Sequence, residues 1–234
     1  MSTHFIPVEK VKASEQVADM LLDYILQGNV LPGEKLPPER ALAGQFKVNR
    51  TTLREALKKL EQLKLISIRQ GQGAIVEDFH NASIEILFYL LKINDEIDLN
   101  ILENVLEARE LFGTDVARLA ARRADSNDIK QLKELMEKLL KATDSGELQL
   151  LDFEFFRLLS LASKNMVYIL LMNMVKTIHE KQLHLFLPLT SEMDKSIQQE
   201  ILKAVIEKDE DKAAEYARKF LHTGRELLKF FRST

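Results

Sequence analysis

Lys47, Arg50, Arg54, Lys58, Lys59, Lys64 and Arg69 fall within residues 47–70 against only Glu55 and Glu61, a local charge of +5 in a chain whose net charge is −3. Cations at this density suit a polyanionic partner. Arginine adds a planar fork of donors that pairs with a guanine edge or a phosphate. Asn49, Thr51 and Thr52 bring side chains that bond phosphate oxygens or base edges. Residues for turnover are scarcer. The chain has no cysteine, no glycine loop of the phosphate-binding type and no recognisable Ser/His/Asp grouping. No enzymatic activity and no cofactor are expected.

The elements that must position this stripe follow from spacing. At about 100° per residue, Leu53, Ala56, Leu57, Leu60 and Leu63 share one arc of a helix, while Arg50, Thr51, Arg54 and Lys58 share another. Asn49 is placed to cap that helix. Upstream, "SEQVADMLLDYILQG" predicts a helix with Val17, Met20, Leu21, Tyr24 and Ile25 on its apolar face, ended by Gly28. "LPGEKLPPER" is a proline-stiffened connection into a second helix, "ERALAGQF". Downstream, "LISIR" and "AIV" alternate as two short strands joined through "QGQG". Two helices, a basic third helix and a hairpin make a winged helix-turn-helix, whose third helix enters the DNA major groove. Glycines at 71 and 73 let the hairpin tip approach a duplex closely.

Beyond residue 84 the apolar spacing is helical almost throughout, predicting helices near 84–93, 98–123, 127–142, 147–163, 166–187, 191–208 and 210–231. Short breaks between long amphipathic helices imply an antiparallel bundle of six or seven. The expected architecture is therefore mostly α: a winged helix-turn-helix DNA-binding domain over 1–78, a linker over 79–83 and an all-helical effector-binding and dimerisation domain over 84–234. No apolar run approaches the ~20 residues that span a bilayer, and the first residues lack the pattern of a secretory signal, so no membrane association and a cytoplasmic location are expected.

"LPPERALAGQFKVNRTTLREALKKLEQL" followed by "IRQGQGAIV" resembles the DNA-binding domain of the GntR family of bacterial transcription regulators. The resemblance implies DNA-contact roles for Arg40, Asn49, Arg50, Thr51, Thr52, Arg54, Gln70 and Gly71. Lys64 departs from the pattern, standing where the family usually has a glycine to end the third helix.

An all-helical second domain resembles the FadR-like branch of that family. Its commonest members hold a metal beneath a carboxylate effector, through an Asp-x-x-x-His pair and two later histidines. Here Asp152 is present, but Phe156 stands in the first histidine's place and Gln198 or Gln199 in the second's, leaving only His222. One carboxylate and one imidazole are too few for a divalent transition metal, so none is expected. "LDFEFFRLLSLASKNMVYILLMNMVK" is similar to the matching stretch of the acyl-CoA-responsive regulators, and "EARELFGTDVARLA" supplies Arg109 where they carry a ligand-facing arginine. That likeness implies an acyl-CoA or another organic acid as effector, with Arg109, Asp152, His179 and His222 as candidate contacts. The expected function is a ligand-responsive repressor that binds a two-fold operator as a homodimer; the alternative is an architectural DNA-binding protein without an effector.

Overall fold

The computed structural model describes residues 13–69, 71–93, 96–181 and 195–233. The chain divides into two compact units, Met1–Asp98 and Leu99–Thr234.

In the first unit, α1 (Ala13–Leu26), α2 (Glu39–Gln45) and α3 (Arg50–Gln62) precede a hairpin of β1 (Ile66–Arg69) and β2 (Gly73–Val76). α1 buries Val17, Ala18, Leu21, Leu22 and Ile25, a stripe rotated from the expected one, so that Met20 and Tyr24 face solvent. Ala18 and Leu22 take their places because the face that meets α3 is the one that recurs at three and four residues through 18, 21, 22 and 25. α2 closes in a turn where Lys47 adopts φ 53°, with Val48 N–H bonded to Ala43 O at 3.0 Å and Lys47 N–H to Gly44 O at 3.2 Å. This six-to-one and five-to-two pairing satisfies the last carbonyls of α2 and turns the chain into α3.

α3 begins as its sequence requires. Asn49 is extended at φ −75° and ψ 163°, and its side-chain oxygen accepts from Thr52 N–H at 2.8 Å. Leu53, Ala56, Leu57 and Leu60 are almost wholly buried against α1 and α2, which fixes the opposite face outward. Its end uses the same device as α2, with Leu65 N–H on Leu60 O at 3.0 Å and Lys64 at φ 58°. A left-handed residue is needed there, which explains why glycine suits the position better than Lys64 does.

β1 and β2 pair antiparallel with Ile66 opposite Val76 and Arg69 opposite Gly73. Gly71 and Gly73, at φ 76° and 86°, make the turn. The proline-rich connection adds a single bridge, Lys35 to Ile75, along β2.

The expected helix over 84–93 forms only in part, over 84–90, with a 3-10 first turn. Two 3-10 turns, Phe79–Asn81 and Ile84–Ile86, lead into a one-turn α4 (Leu87–Leu90) and a two-residue-per-strand hairpin of β3 (Lys92–Ile93) and β4 (Glu96–Ile97). Asp78 and Ser83 each cap a 3-10 turn. Ser83 caps the start of the expected helix, Ile86 and Leu87 keep right-handed helical backbone, and the short helical stretch over 84–90 ends where Lys92 enters the β3–β4 hairpin. The segment packs on the first unit: Ile86 joins Leu22, Leu63 and Leu65 in one apolar cluster, with Tyr89 and Leu90 against it. Ser83 N–H also bonds Leu63 O at 2.9 Å. The division between units thus follows Asp98 rather than 79–83.

The second unit contains six described helices: α5 (Leu99–Arg123), α6 (Ser126–Lys141), α7 (Ser145–Ala162), α8 (Met166–Lys181), α9 (Lys195–Glu207) and α10 (Glu210–Ser233). Asp125 and Asp128 form a reciprocal cap at the start of α6, and Asp144 caps α7. Ala117, Ala120 and Ala121 of α5 meet Ala213 and Ala217 of α10 beside Phe155, Phe220 and Leu221, so α5 and α10 approach closely. Gly113 marks the tightest point: a Cβ there would collide with Leu221 Cδ1 and lie 3.5 Å from Phe156 Cε1. Leu221 is buried, so its Cδ1 would have to shift within a packed core. Gly113→Ala is expected to lower unfolding stability by up to about 2 kcal/mol, an overpacking cost of about 1–3 kcal/mol set against the ~1 kcal/mol gained in helix propensity. Denaturant unfolding measures this.

Candidate DNA interface and effector site

On the first unit, Asn49, Arg50, Thr51 and Arg54 are exposed at the start of α3, Thr52 is half-buried behind them, and Arg40 is exposed on α2. The apolar back of α3 leaves this face as the one presented outward. Arg54 Nε donates to Glu39 Oε2 at 2.9 Å, with its side chain still 65% exposed. Glu39 therefore fixes the guanidinium's direction while its two Nη groups are left for an outside acceptor. Asn49 spends its carbonyl oxygen on the cap, leaving its amide NH2 as the donor. Gly71 sits at the exposed hairpin tip, and Gln70 lies outside the described residues. Two further charged residues border this face. Glu39 orients Arg54 across α2 and α3, and no local motif signals it. Arg69 is exposed beside the wing turn, and its charge at the hairpin's edge was the available signal.

In the second unit three helices bring a polar group into the apolar core. Asp152 of α7, 6% exposed, accepts from Arg109 Nη2 of α5 at 3.2 Å and from Gln198 Nε2 of α9 at 2.8 Å. The Arg109 guanidinium stands 5.9 Å from the centre of the Phe156 ring. Burial pushes the Asp152 carboxyl up to about 6, with Arg109 working in the opposite direction. At neutral pH the carboxylate is ionised and paired.

His222 belongs elsewhere. From α10 its Nδ1 is 3.1 Å from Glu110 Oε2 and its Nε2 is 3.2 Å from Glu226 Oε1, while Arg225 Nη1 lies 3.4 Å from Glu110. Burial works to raise Glu110, but the bonds from His222 and Arg225 hold it below the usual carboxylate range. Glu110 and His222 border an open groove of about 580 Å³ between α5 and α10, lined also by Thr114, Arg118, Asp211 and Arg218. The structure thus unites Arg109 with Asp152 and separates His222 from them. His179 lies on α8 outside the residues whose side chains are described. Among the described residues, no three His, Asp or Glu side chains converge as a metal site. Gln198, which the sequence suggested only as a histidine's replacement, is the third member of the buried network.

Comparison with known proteins decides what this two-part arrangement is. Residues 13–76 match the family described as bacterial regulatory proteins, gntR family, and residues 104–223 match the FCD domain. An uncharacterised HTH-type transcriptional regulator of Mycobacterium tuberculosis is 35% identical over 168 residues, 70% of this chain and 67% of that one. The chain belongs to the GntR family. It is a DNA-binding transcription regulator rather than an enzyme, with an FCD effector-binding domain behind its winged helix-turn-helix. A fatty acid metabolism regulator protein of Serratia proteamaculans is 30% identical over 165 residues, 70% of this chain and 67% of that protein. A solved GntR structure from Streptococcus agalactiae is 29% identical at a TM-score of 0.50, covering 91% of this regulator and 99% of that chain. The regulator spans 58–67% of the length of the mycobacterial relatives it matches at 35–38% identity. Among its described residues no helix is long and apolar enough to cross a membrane.

Proposed function

We propose that this GntR regulator is a cytoplasmic repressor that binds a two-fold operator as a homodimer and answers to an organic acid, of which an acyl-CoA is one candidate. The observation that carries the DNA half is the start of α3: a capped helix whose leucines are buried and whose Arg50, Thr51 and Arg54 are not. In that geometry Arg54 reads guanine, Arg50 and Thr51 meet the groove and backbone, and Arg40, Thr52, Asn49 and the wing residues Gln70 and Gly71 set the register. One helix reads only a few base pairs, so two-fold symmetry doubles the contacts.

The effector half rests on Arg109. An incoming carboxylate or thioester-borne anion would compete with Asp152 for its guanidinium, against the Phe156 ring, and thereby loosen the tie between α5, α7 and α9. His179 and His222 are weaker candidates, since His222 faces a different set of partners. A coupling of roughly 1–3 kcal/mol between ligand and DNA suffices to release an operator.

Selection of bound duplexes from a random pool tests the regulator reading. A two-fold consensus bound at least ~10³-fold more tightly than random DNA is the expected result. Binding that varies little with sequence and falls steeply with salt would instead support the architectural alternative.

A further inference from the structure

Among the described residues, the non-glycine positions with positive φ are Lys47, Lys64, Lys164 and Lys208, at 53°, 58°, 50° and 59°. Each follows the last turn of a helix, where a left-handed residue closes the chain and glycine fits with least strain. A longer side chain held there points to a contact that only the side chain can make. Two of the four make that contact within the chain. Lys164 Nζ meets Asp128 Oδ2 at 2.6 Å and Asp125 Oδ2 at 3.1 Å, at the start of α6. Lys208 Nζ donates to Ala124 O, just past the end of α5.

Lys47 and Lys64 are exposed, and among the described residues neither ammonium has a hydrogen-bond or ion-pair partner. Their surroundings differ. Lys47 stands two residues before the cap Asn49, on the turn that leads into the exposed Arg50 and Thr51. Glu39, the acidic residue that opens α2, is engaged by Arg54 instead. Lys64 follows the other end of α3, whose 13 residues set it roughly 20 Å from Asn49 along the axis. An ammonium is a point charge on a flexible four-carbon stem. It suits a single phosphate oxygen and lacks the fork that pairs with a guanine edge.

We propose that Lys47 is a phosphate contact: from the turn between α2 and α3 its ammonium binds a DNA backbone phosphate flanking the base pairs that α3 reads, once in each half-site. The strained backbone of Lys47 is the counterpart of that contact, as the strain at Lys164 is of its bonds to Asp125 and Asp128. Lys64 shares the backbone but stands at the end of α3 away from the duplex, and has no such role. The proposal rests on the DNA-reading face described above and adds one residue to it.

Glycine removes the side chain and the strain together, so stability and affinity should move in opposite directions. In the full-length protein, Lys47→Gly is expected to raise the denaturant midpoint while raising Kd for the selected operator on the order of tenfold, with random duplex weakened to the same degree and the salt slope reduced by about one per half-site. Lys47→Arg keeps both charge and strain, and is expected to retain the wild-type slope and midpoint. Lys64→Gly is the control, expected to raise the midpoint with affinity and slope unchanged. Asparagine also tolerates the left-handed region, so Lys47→Asn carries the test if Lys47→Gly does not fold. A wild-type chain that binds no duplex overturns the DNA reading and this contact with it. A wild-type chain that binds its operator, with affinity and slope unchanged in Lys47→Gly, overturns this contact alone. A loss confined to one base pair, or an equal loss in Lys64→Gly, does the same.

Discussion

With Arg54 replaced by alanine, binding to the selected operator is expected to weaken by about 2–6 kcal/mol, since a two-fold complex loses one contact of roughly 1–3 kcal/mol in each half-site. That is at least a thirtyfold rise in Kd. The loss should also be selective: discrimination at one base pair per half-site disappears, while affinity for random duplex changes little. Glu39→Gln provides a graded companion. It keeps a hydrogen-bond acceptor for Arg54 Nε but removes the charge that holds it at 2.9 Å, so a smaller loss at the same base pair is expected. Titration of each variant against the consensus and its single-base substitutions measures both effects. Equal weakening on every sequence, with a salt slope reduced by about one per half-site, would make Arg54 a phosphate contact.

The second large effect lies in the helical unit. Arg109→Ala leaves the buried Asp152 carboxylate with Gln198 as its described partner, and stranding one member of a buried pair typically costs about 3–5 kcal/mol. Arg109 is itself part-exposed, so the lower end of that range applies. The cost should depend on pH in a definite sense. Asp152 already titrates near 6 in the folded chain, above an ordinary aspartate, so its folded state holds the proton more tightly than the unfolded state. Its contribution to stability is full below about pH 4 and is lost as pH rises through about 6. Removing Arg109 raises the folded value further, so the penalty appears above pH 6 and fades towards pH 5, where Asp152 is protonated with or without its arginine. Adding Asp152→Asn to the variant should restore stability at pH 8 without restoring the effector response. Denaturant unfolding of the three proteins at pH 5 and pH 8, with operator release by candidate acids, separates the roles. A pH-independent loss would place the cost in packing against Phe156, and an unaltered effector response would remove Arg109 from the ligand site.

Much of the DNA-reading unit was legible because its signals are local. A capping asparagine, a leucine arc and a glycine turn each act within a few residues, and the structure places α3 and the wing where those signals put them. Met20 and Tyr24 were misplaced on α1 because two overlapping apolar stripes exist there and only packing against α3 chooses between them. The stretch over 84–93 misled for a related reason. Its apolar spacing is genuinely helical and Ser83 caps it, but the stretch begins as a 3-10 turn, Ile86 docks on Leu22, Leu63 and Leu65, and the β3–β4 hairpin ends it at Lys92. In the helical unit, Arg109 and Asp152 could be named as candidates. That they face each other, with Gln198 closing the network and His222 turned to Glu110, depends on helices 43, 46 and 112 residues apart in the chain. No short-range pattern encodes such pairings.

Hydrogen exchange on the full-length chain, with and without its selected duplex, tests most directly whether the cationic start of α3 is the reading surface. The first backbone amides of a helix lack partners within it, so those of Arg50 and Thr51 exchange readily unless something covers them. The account predicts that duplex slows exchange over the first turn of α3 and across the wing turn at Gly71 and Gly73. Protection confined to other surfaces, with that first turn unchanged in the bound state, would contradict it.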